Sequence, residues 1–348
     1  MLSLPRKCVV VVFVWLGIVS EILAQTVTAI HAGVSKSAVQ RDAIRLVESG
    51  RPTLSLRVQR PQFKSKISSV AGDVIYVHGS TFGADLSVLY RLDGRSWADE
   101  MNSIGLTVWN FDFAGYGESD RYPHGGDRPA GRMDDVIPQL HRVVSAVRAR
   151  NGDLPIALVA HSWGATVAAR YASLYPQDVK ALVLFAPIVM RTSDTIPVAA
   201  APQPSHYPLT QWAQYRRFVE DVPRGHPQVL SEIHFQAWAT AFLATDPGAG
   251  EHIPPSVITP YGPVADIRAL WSGQALYDPS LVVAPMLIVR GEWDSLCTDA
   301  DASHLLSGLG SKDKTDVKIE HATHLMLLES QRGMLHNSAN IFLERTMK

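Results

Sequence analysis

The chain has 348 residues, of which 46% are apolar and 19% are charged. This length fits one large or two ordinary domains, and the apolar fraction supplies a sizeable core, so the composition excludes a disordered or fibrous protein. The 32 Lys and Arg residues nearly balance the 33 Asp and Glu residues, and no long run has one sign of charge, so nucleic acid is not expected as a partner.

The first residues predict export. Two basic residues precede a short apolar stretch, Cys8–Val19, and Ala24 offers a small residue for cleavage, a pattern typical of a secretory signal peptide over residues 1–24. The stretch is shorter than the roughly 20 residues of a membrane-spanning helix, so no stable membrane insertion is expected after cleavage; a retained anchor is the alternative. The predicted localisation is secreted or periplasmic. Cleavage leaves Cys297 as the only cysteine, so the core has no internal disulfide.

After residue 50, short β-rich runs alternate with longer amphipathic segments, which predicts a parallel sheet covered by helices. Several of the predicted strands are apolar throughout, as expected for strands buried on both faces. The predicted strands are Leu54–Gln59, Val74–His78, Thr107–Asp112, Ile156–Ala160, Val179–Phe185, Pro285–Arg290 and Asp316–Ile319. The predicted helices are Met133–Arg150, Trp163–Tyr175, Ala300–Leu309 and Ser330–Leu343.

The stretch from about residue 190 to 280 breaks this alternation. It is rich in Pro, His and aromatic residues, with helix-like pieces at Leu209–Val219 and Val229–Ala244. It follows one predicted strand and precedes another, so it should emerge near the carboxyl edge of the sheet, where ligands bind in α/β folds. We interpret it as a cap. The predicted division is therefore a signal peptide (1–24), a first part of the core (25–189), the cap (190–280) and a second part of the core (281–348).

A serine lies at a predicted junction of strand and helix, in the sequence AHSWG at 160–164. A Ser at such a tight turn is held in a strained backbone above the sheet edge, with small residues two before and two after it. Ala160 and Gly164 fill those places. The segment resembles the G-x-S-x-G nucleophile elbow of the α/β-hydrolase family, with Ala in place of the first Gly, and this resemblance implies that Ser162 is the nucleophile. Taken alone, the pentapeptide also fits a Ser that caps a helix.

A serine nucleophile needs a base and an acid that orients the base, and in this family they follow in the order Ser, Asp, His. The two C-terminal strands are each followed by a segment that resembles the family's pattern. After Pro285–Arg290 comes GEWD at 291–294, which resembles the family's acid-bearing loop and implies Asp294 as the acid. After Asp316–Ile319 comes HATHLMLLE at 321–329, which resembles the family's segment with the catalytic His and implies His324. Glu292 and His321, in the same two loops, are the alternatives.

Acyl transfer also needs two main-chain N–H donors that face the developing oxyanion. In the elbow, one donor is the residue after the nucleophile, here Trp163. The sequence HGSTF at 78–82 follows a predicted strand and resembles the family's HG loop, which implies Ser80 as the second donor, with Thr81 as the alternative. His78 is expected to hydrogen-bond within the loop rather than to act as a base.

The sequence DFAGYGES at 112–119 also follows a predicted strand. Its glycine spacing lacks the third Gly and the acidic residue of a dinucleotide site, and it resembles instead the D-x-x-G-x-G-x-S turn beside the α/β-hydrolase active site. No cofactor and no metal are expected, because a catalytic triad activates the serine itself. Together the resemblances run from about residue 53 to 344. They imply a mostly parallel eight-stranded α/β-hydrolase sheet flanked by helices, with a helical cap insertion.

Family members with Asp at the elbow, the haloalkane dehalogenases and epoxide hydrolases, form alkyl esters, whereas a Ser favours acyl transfer to water. The resemblance therefore implies a secreted, carboxylesterase-like serine hydrolase that cleaves a carboxylic ester or lactone. The expected partner is a small apolar or aromatic substrate, because aromatic cap residues would line the site if they face inward; the alternative is that they pack the cap's own core. They are Trp212, Tyr215, Phe218, His234, Trp238, Trp271 and Tyr277. The oligomeric state and the natural substrate are left open.

Two other functions are compatible with the sequence. The segment SWGAT at 162–166 looks like the elbow of proline iminopeptidases, but those enzymes usually carry HGGPG and D-Q-R-G where this chain has HGSTF and DFAG. The second alternative is a non-catalytic binding protein with the hydrolase fold. Such proteins commonly lose a member of the triad, and here all three candidates are present.

Overall fold

The computed structural model describes residues 41–61, 71–123, 125–191 and 203–347. The predicted signal peptide, residues 1–24, lies outside the described residues, so export stays a prediction. Within the described ranges, every helix is too short or too polar to cross a membrane.

An eight-stranded sheet forms the centre of the fold, in the order β1-β2-β4-β3-β5-β6-β9-β10. The pairs β1–β2 and β2–β4 are antiparallel, and every other pair of neighbours in this sheet is parallel. The predicted mostly parallel eight-stranded sheet is thus confirmed. The strands, with two further ones outside this sheet, are β1 (Arg41–Leu46), β2 (Leu54–Gln59), β3 (Gly72–Val77), β4 (Leu106–Phe111), β5 (Ile156–His161), β6 (Ala181–Phe185), β7 (His206–Thr210), β8 (Ser256–Pro260), β9 (Met286–Gly291) and β10 (Lys314–Ile319).

Helices cover both faces of the sheet. In β3, Val74 and Tyr76 belong to one apolar core together with residues of α1 and α8, whereas Ile75 and Val77 belong to a second core with residues of α2 and α3. Because successive side chains of a strand point to opposite faces, the sheet separates these two cores. The helices are α1 (Trp97–Ser103), α2 (Met133–Asn151), α3 (Trp163–Leu174), α4 (Gln211–Val219), α5 (Glu232–Leu243), α6 (Gly262–Trp271), α7 (Asp299–Gly308) and α8 (Arg332–Thr346).

Between β6 and β9, which are neighbours in the sheet, the described chain forms a segment of residues 203–281, called here the β6–β9 insertion. It contains α4, α5 and α6 and a separate two-stranded sheet in which β7 pairs with β8 in antiparallel fashion. The sequence predicts helices in this region but not the two strands, one of which contains Pro208, a residue confined to edge strands because it lacks an N–H donor. The predicted division of the chain at residues 190 and 280 stays a prediction.

Candidate active site

Ser162 occupies the turn between β5 and α3, with φ 56° and ψ −124°. Non-glycine residues rarely adopt this backbone conformation, which costs about 1–3 kcal/mol and persists only where the surroundings enforce it. The Ser162 amide donates to the carbonyl of Phe185 at 3.1 Å, and the Ser162 carbonyl accepts from the Ile188 amide at 3.3 Å. These contacts to the end of β6 and beyond hold the strained turn in place.

Gly164 shows why the turn needs a small residue after the serine. A Cβ atom at Gly164 would lie 2.2 Å from the carbonyl oxygen of His78, a distance that no side chain tolerates. The first turn of α3 therefore rests directly on the backbone that follows β3. The methyl group of Ala160, by contrast, is fully enclosed in the core between β5 and α3, so Ala replaces the usual Gly at this place without a clash.

The structure brings together the three residues that the sequence singles out as a triad. The Nε2 atom of His324 lies 2.8 Å from Oγ of Ser162, and its Nδ1 atom lies 3.0 Å from each carboxylate oxygen of Asp294. All three side chains are buried. Asp294 also accepts from the amides of Leu296 at 2.9 Å and Cys297 at 3.1 Å. With Nδ1 donating to Asp294, Nε2 is free to accept the serine proton.

Asp294 is ionised although it is enclosed. Burial raises the pKa of its carboxyl group. The charge and the hydrogen bond of His324, together with the Leu296 amide, lower this pKa by more than burial raises it, so the pKa lies below its usual value. An ionised carboxylate at this place fixes the imidazole tautomer and stabilises the imidazolium that forms when His324 accepts a proton.

The two alternative residues, Glu292 and His321, lie at the exposed rim and contact each other. The Glu292 carboxylate accepts from the His321 amide at 3.0 Å, and the His321 ring lies 5.1 Å from the ring of Trp293. Among the described residues, neither side chain hydrogen-bonds to Ser162 or His324. Their contacts stabilise the approach of the two loops, which supports Asp294 and His324 as the functional pair.

The HG loop, residues 78–82, runs beside Ser162. A Cβ atom at Gly79 would lie 3.4 Å from Cβ of Ser162. His78 donates from Nδ1 to the Gly79 carbonyl at 2.7 Å, and its Nε2 accepts from the Phe113 amide at 3.0 Å. Burial lowers the pKa of His78 to about 4, so the ring is neutral and holds the loop. Because C=O and N–H point in opposite directions in a trans peptide, this contact directs the Ser80 amide away from the His78 ring.

The neighbouring peptide is fixed in the same way, since the Tyr116 hydroxyl donates to the Ser80 carbonyl at 2.7 Å and so orients the Thr81 amide. Among the described residues, the amides of Ser80 and Thr81 donate to no protein acceptor. The Trp163 amide is likewise unpaired in the described part, as expected for the first residue of a helix. Both loop amides are therefore without a protein acceptor among the described residues, and the choice between Ser80 and Thr81 as oxyanion donor stays a prediction.

The turn at 112–119 holds Tyr116 in place through its own hydrogen bonds. The Asp112 carboxylate accepts from the Ala84 amide at 3.0 Å, and the Ser119 hydroxyl donates to the Asp112 carbonyl at 2.6 Å. Gly117 has a φ of 50°, and a Cβ atom there would lie 2.1 Å from an Asp112 carboxylate oxygen. The two ends of the turn are thus tied together, and the motif acts as a structural support for the HG loop.

Sequence reasoning missed two residues that support His324. His161 donates from Nε2 to the main-chain carbonyl of His324 at 3.1 Å. The buried carboxyl group of Glu329 accepts from the Thr323 amide at 3.0 Å and also from the Thr323 hydroxyl. Burial raises the pKa of Glu329 to about 7. For Glu329, the only signal in the sequence is that it is a single acidic residue at the end of the apolar run LMLLE at 325–329.

Two aromatic residues of the β6–β9 insertion approach the HG loop. The ring of Phe218, on α4, lies 6.0 Å from that of Phe82, and the ring of Trp238, on α5, lies 5.1 Å from it. Trp238 also donates from Nε1 to the Leu86 carbonyl at 3.0 Å. All three rings are buried, so they form an apolar wall next to the loop.

The other aromatic and His residues predicted to line the cap lie elsewhere. Trp212 is 66% exposed and stacks on Tyr215. His234 pairs with Asp93. Trp271 lies under the guanidinium group of Arg191 at 4.4 Å, and Tyr277 packs against the core formed by α2 and α3.

Cys297, three residues after Asp294, is a buried free thiol. Burial raises the pKa of this thiol above its usual value. Such a thiol is protonated and inert at neutral pH. In the described part of the chain, the His, Cys, Asp and Glu side chains form no group of three that suits a metal ion.

Several solved structures are similar to this one. A soluble variant of monoglyceride lipase from Saccharomyces cerevisiae, in complex with a substrate analogue, aligns with a TM-score of 0.59 at 15% identity, over 91% of this chain and 99% of that chain. The Paleococcus ferrophilus monoacylglycerol lipase aligns with a TM-score of 0.55 at 16% identity, over 84% and 99%. Est1E from Butyrivibrio proteoclasticus, with ferulic acid bound, aligns with a TM-score of 0.56 at 15% identity, over 88% and 99%. At these identities the likeness establishes the α/β-hydrolase fold.

No curated protein matches the sequence. A family described as "Serine aminopeptidase, S33" matches residues 74–331, a range that begins in β3 and includes Ser162, Asp294 and His324. Because this match spans more than half of the chain, the protein belongs to the serine aminopeptidase S33 family of α/β hydrolases.

Proposed function

We propose that the protein is a serine hydrolase that cleaves a carboxylic ester or lactone through an acyl-enzyme on Ser162. The observation that carries this proposal is the continuous chain of hydrogen bonds from Asp294 through His324 to Ser162, with separations of 3.0 and 2.8 Å. Such an arrangement activates a hydroxyl group that is otherwise a weak nucleophile at neutral pH.

In the proposed reaction, Oγ of Ser162 attacks the substrate carbonyl while Nε2 of His324 takes its proton. The oxyanion of the tetrahedral intermediate lies against the Trp163 amide and an amide of the HG loop; in studied hydrolases each such donor lowers the barrier by about 3 kcal/mol. His324 then gives its proton to the leaving alcohol. A water molecule, deprotonated by His324, clears the acyl group by the same steps in reverse order.

The apolar wall of Phe82, Phe218 and Trp238 favours an apolar or aromatic group on the substrate, because such a group gains free energy when it leaves water. Two of the similar structures agree with this class: one is a monoglyceride lipase with a substrate analogue, and Est1E holds ferulic acid. We further propose that the β6–β9 insertion covers the site.

An amide or peptide substrate is the second candidate, since the family that matches the chain is described as serine aminopeptidase and the same triad chemistry cleaves amides. Rates on an aryl ester and on a proline arylamide, measured in parallel, discriminate between the two. A faster rate on the arylamide would overturn the ester assignment.

The central test compares the wild type with Ser162→Ala on short-chain chromogenic esters and on an aryl lactone. The wild type should turn over at least one of them, and Ser162→Ala should lose this activity. Ser307→Ala, at an exposed position on α7, serves as the matched control and should retain the full rate. Equal turnover by Ser162→Ala, or labelling of another residue by a fluorophosphonate, contradicts the proposal. A wild type without any turnover would favour a non-catalytic binding protein.

A further inference from the structure

One polar side chain of the β6–β9 insertion reaches the HG loop. Gln214, on α4, donates from Nε2 to the main-chain carbonyl of Thr81 at 3.3 Å. The Gln214 residue is 1% exposed, so its amide group has left water almost completely. A buried amide costs free energy unless it is hydrogen-bonded, and the Thr81 carbonyl is its partner in the described part of the chain.

This contact completes a series along the loop. His78 holds the Gly79 carbonyl, Tyr116 holds the Ser80 carbonyl, and Gln214 holds the Thr81 carbonyl. A held C=O also orients the N–H of the next residue, so the contacts of His78 and Tyr116 fix the amides of the two candidate donors, Ser80 and Thr81. Gln214 fixes the peptide plane that follows, between Thr81 and Phe82, and so holds the far end of the same stretch. The first two side chains belong to the core of the fold, and only the third comes from the insertion.

The helix that carries Gln214 is also attached to the acid loop. Asp221 lies two residues beyond the end of α4, and its carboxylate accepts from the hydroxyl of Ser295 at 2.6 Å. Ser295 follows Asp294 directly in the sequence. Arg217 pairs with Asp221 at 2.9 Å, which keeps the carboxylate in place. Toward the HG loop, the ring of Phe218 packs against that of Phe82. The segment from Gln214 to Asp221 thus spans from the HG loop to the loop of the acid.

We propose that Gln214 is a positioning residue, supplied by the β6–β9 insertion, that orients the HG loop for the oxyanion of the transition state. The inference rests on the proposed function. An oriented donor gains most when negative charge develops on the substrate oxygen. Loss of the Gln214 contact should therefore lower kcat and leave KM nearly unchanged, since the ground-state carbonyl is bound much less strongly by these amides.

The first experiment compares Gln214→Met with the wild type on the best ester substrate. Met has the same length and fills the same space, but it cannot donate to the Thr81 carbonyl. Gln211→Met makes the same chemical change at an exposed position on α4 and is the matched control. We expect kcat to fall about tenfold in Gln214→Met, less than the 100-fold or more for a direct oxyanion donor, with KM within about twofold. Gln211→Met should match the wild type.

Inhibitor binding separates orientation of the loop from general damage to the site. A trifluoromethyl ketone analogue of the substrate forms an oxyanion on Ser162, whereas the corresponding ether analogue binds without one. Gln214→Met should weaken the ketone by the same factor as kcat and leave the ether unchanged. An equal loss for both inhibitors, or a wild-type kcat and ketone affinity, overturns the proposal.

Gln214→Glu provides a second variant with the same shape. Its ionised carboxylate faces the Thr81 carbonyl without a proton to donate, whereas the protonated acid restores a donor. The activity of this variant relative to wild type should therefore rise as the pH falls, and a constant ratio contradicts the proposal. A wild type without Ser162-dependent turnover overturns the proposed function and this inference together, while turnover that depends on Ser162 but not on Gln214 overturns this inference alone.

Discussion

His161 donates a hydrogen bond from Nε2 to the main-chain carbonyl of His324 at 3.1 Å, so the residue before Ser162 holds the backbone of His324. The His161 ring stacks on Phe185 with 4.6 Å between centroids. Burial, and the nearby His324, lower the pKa of His161 to about 3. The His161 ring is therefore neutral near pH 7, and it places no positive charge beside His324.

Replacement of His161 by Phe should reduce kcat/KM by about fivefold. The substituted ring keeps the stacking on Phe185 but loses the hydrogen bond, which is worth about 1 kcal/mol, and tenfold in rate corresponds to about 1.4 kcal/mol. Steady-state kinetics together with the Tm check this expectation. An unchanged kcat/KM would show that the contact does not position His324, and a loss as large as that of His324→Ala would point to His161 as the base.

Asp294→Asn should lower kcat by about 10⁴, the size of the effect in a comparable triad, because the amide favours the wrong tautomer of the base. Glu292→Gln is the matched control. It lies at the exposed rim, where its carboxylate meets only the His321 amide among the described contacts, so kcat should change by less than about twofold. Kinetics on one ester for both variants decide the question. The reverse pattern would assign the acid to Glu292.

Gly164→Ala should destabilise the protein and abolish activity. The added Cβ atom would lie 2.2 Å from the His78 carbonyl, so main chain must shift, and overpacking of this kind costs about 1–3 kcal/mol or more. Gly333→Ala in α8 adds the same methyl group where no atom lies within 4 Å, and it should gain up to about 1 kcal/mol. Urea unfolding measures both. Equal stability of the two variants would contradict the close approach of α3 to the HG loop.

Glu329→Gln should remove a pH dependence of stability. The folded-state pKa of about 7 lies above the usual 4.5, so the stability due to the protonated form is fully present below about pH 4.5 and is lost as the pH rises to about 7. Wild type should therefore lose up to about 3 kcal/mol across this range relative to Glu329→Gln.

Urea unfolding of wild type and Glu329→Gln at pH 5 and pH 8 measures this difference directly. Glu344→Gln, at an exposed position on α8, is the control for loss of a surface charge. If the free energy of unfolding changes equally between pH 5 and pH 8 in Glu329→Gln and in Glu344→Gln, the buried carboxyl group of Glu329 is not protonated in the folded state.

The central sheet was predictable from the sequence because its inner strands are mainly apolar, as β5 and β6 illustrate with every residue buried. The meeting of Ser162, Asp294 and His324 followed from the same pattern, since each lies just after a strand end and parallel strands end at one edge of the sheet. β1 escaped prediction because its sequence RDAIRL mixes charged and apolar residues. α1, with 7 residues, is too short to show helical periodicity.

The contacts that tune the site were not predictable. Gln214 lies in the sequence QWAQYRRFV, where nothing distinguishes a buried glutamine from an exposed one, and its partner Thr81 is 133 residues away. Glu329 is the only acidic residue of its segment, LMLLE at 325–329, and its partner Thr323 is identified only once the loop is folded. Such contacts depend on how distant loops pack, and local sequence patterns do not record this.

The attachment of α4 to two loops at once restricts how this protein can change its substrate. Under the proposed function, substitutions between Gln214 and Asp221 that enlarge the space for a new substrate would also disturb the HG loop and the loop of Asp294, so selectivity and turnover would not evolve independently in this scaffold. Transfer of the β6–β9 insertion from a relative should therefore yield an active chimaera only when residues 78–82 and 294–297 are transferred with it.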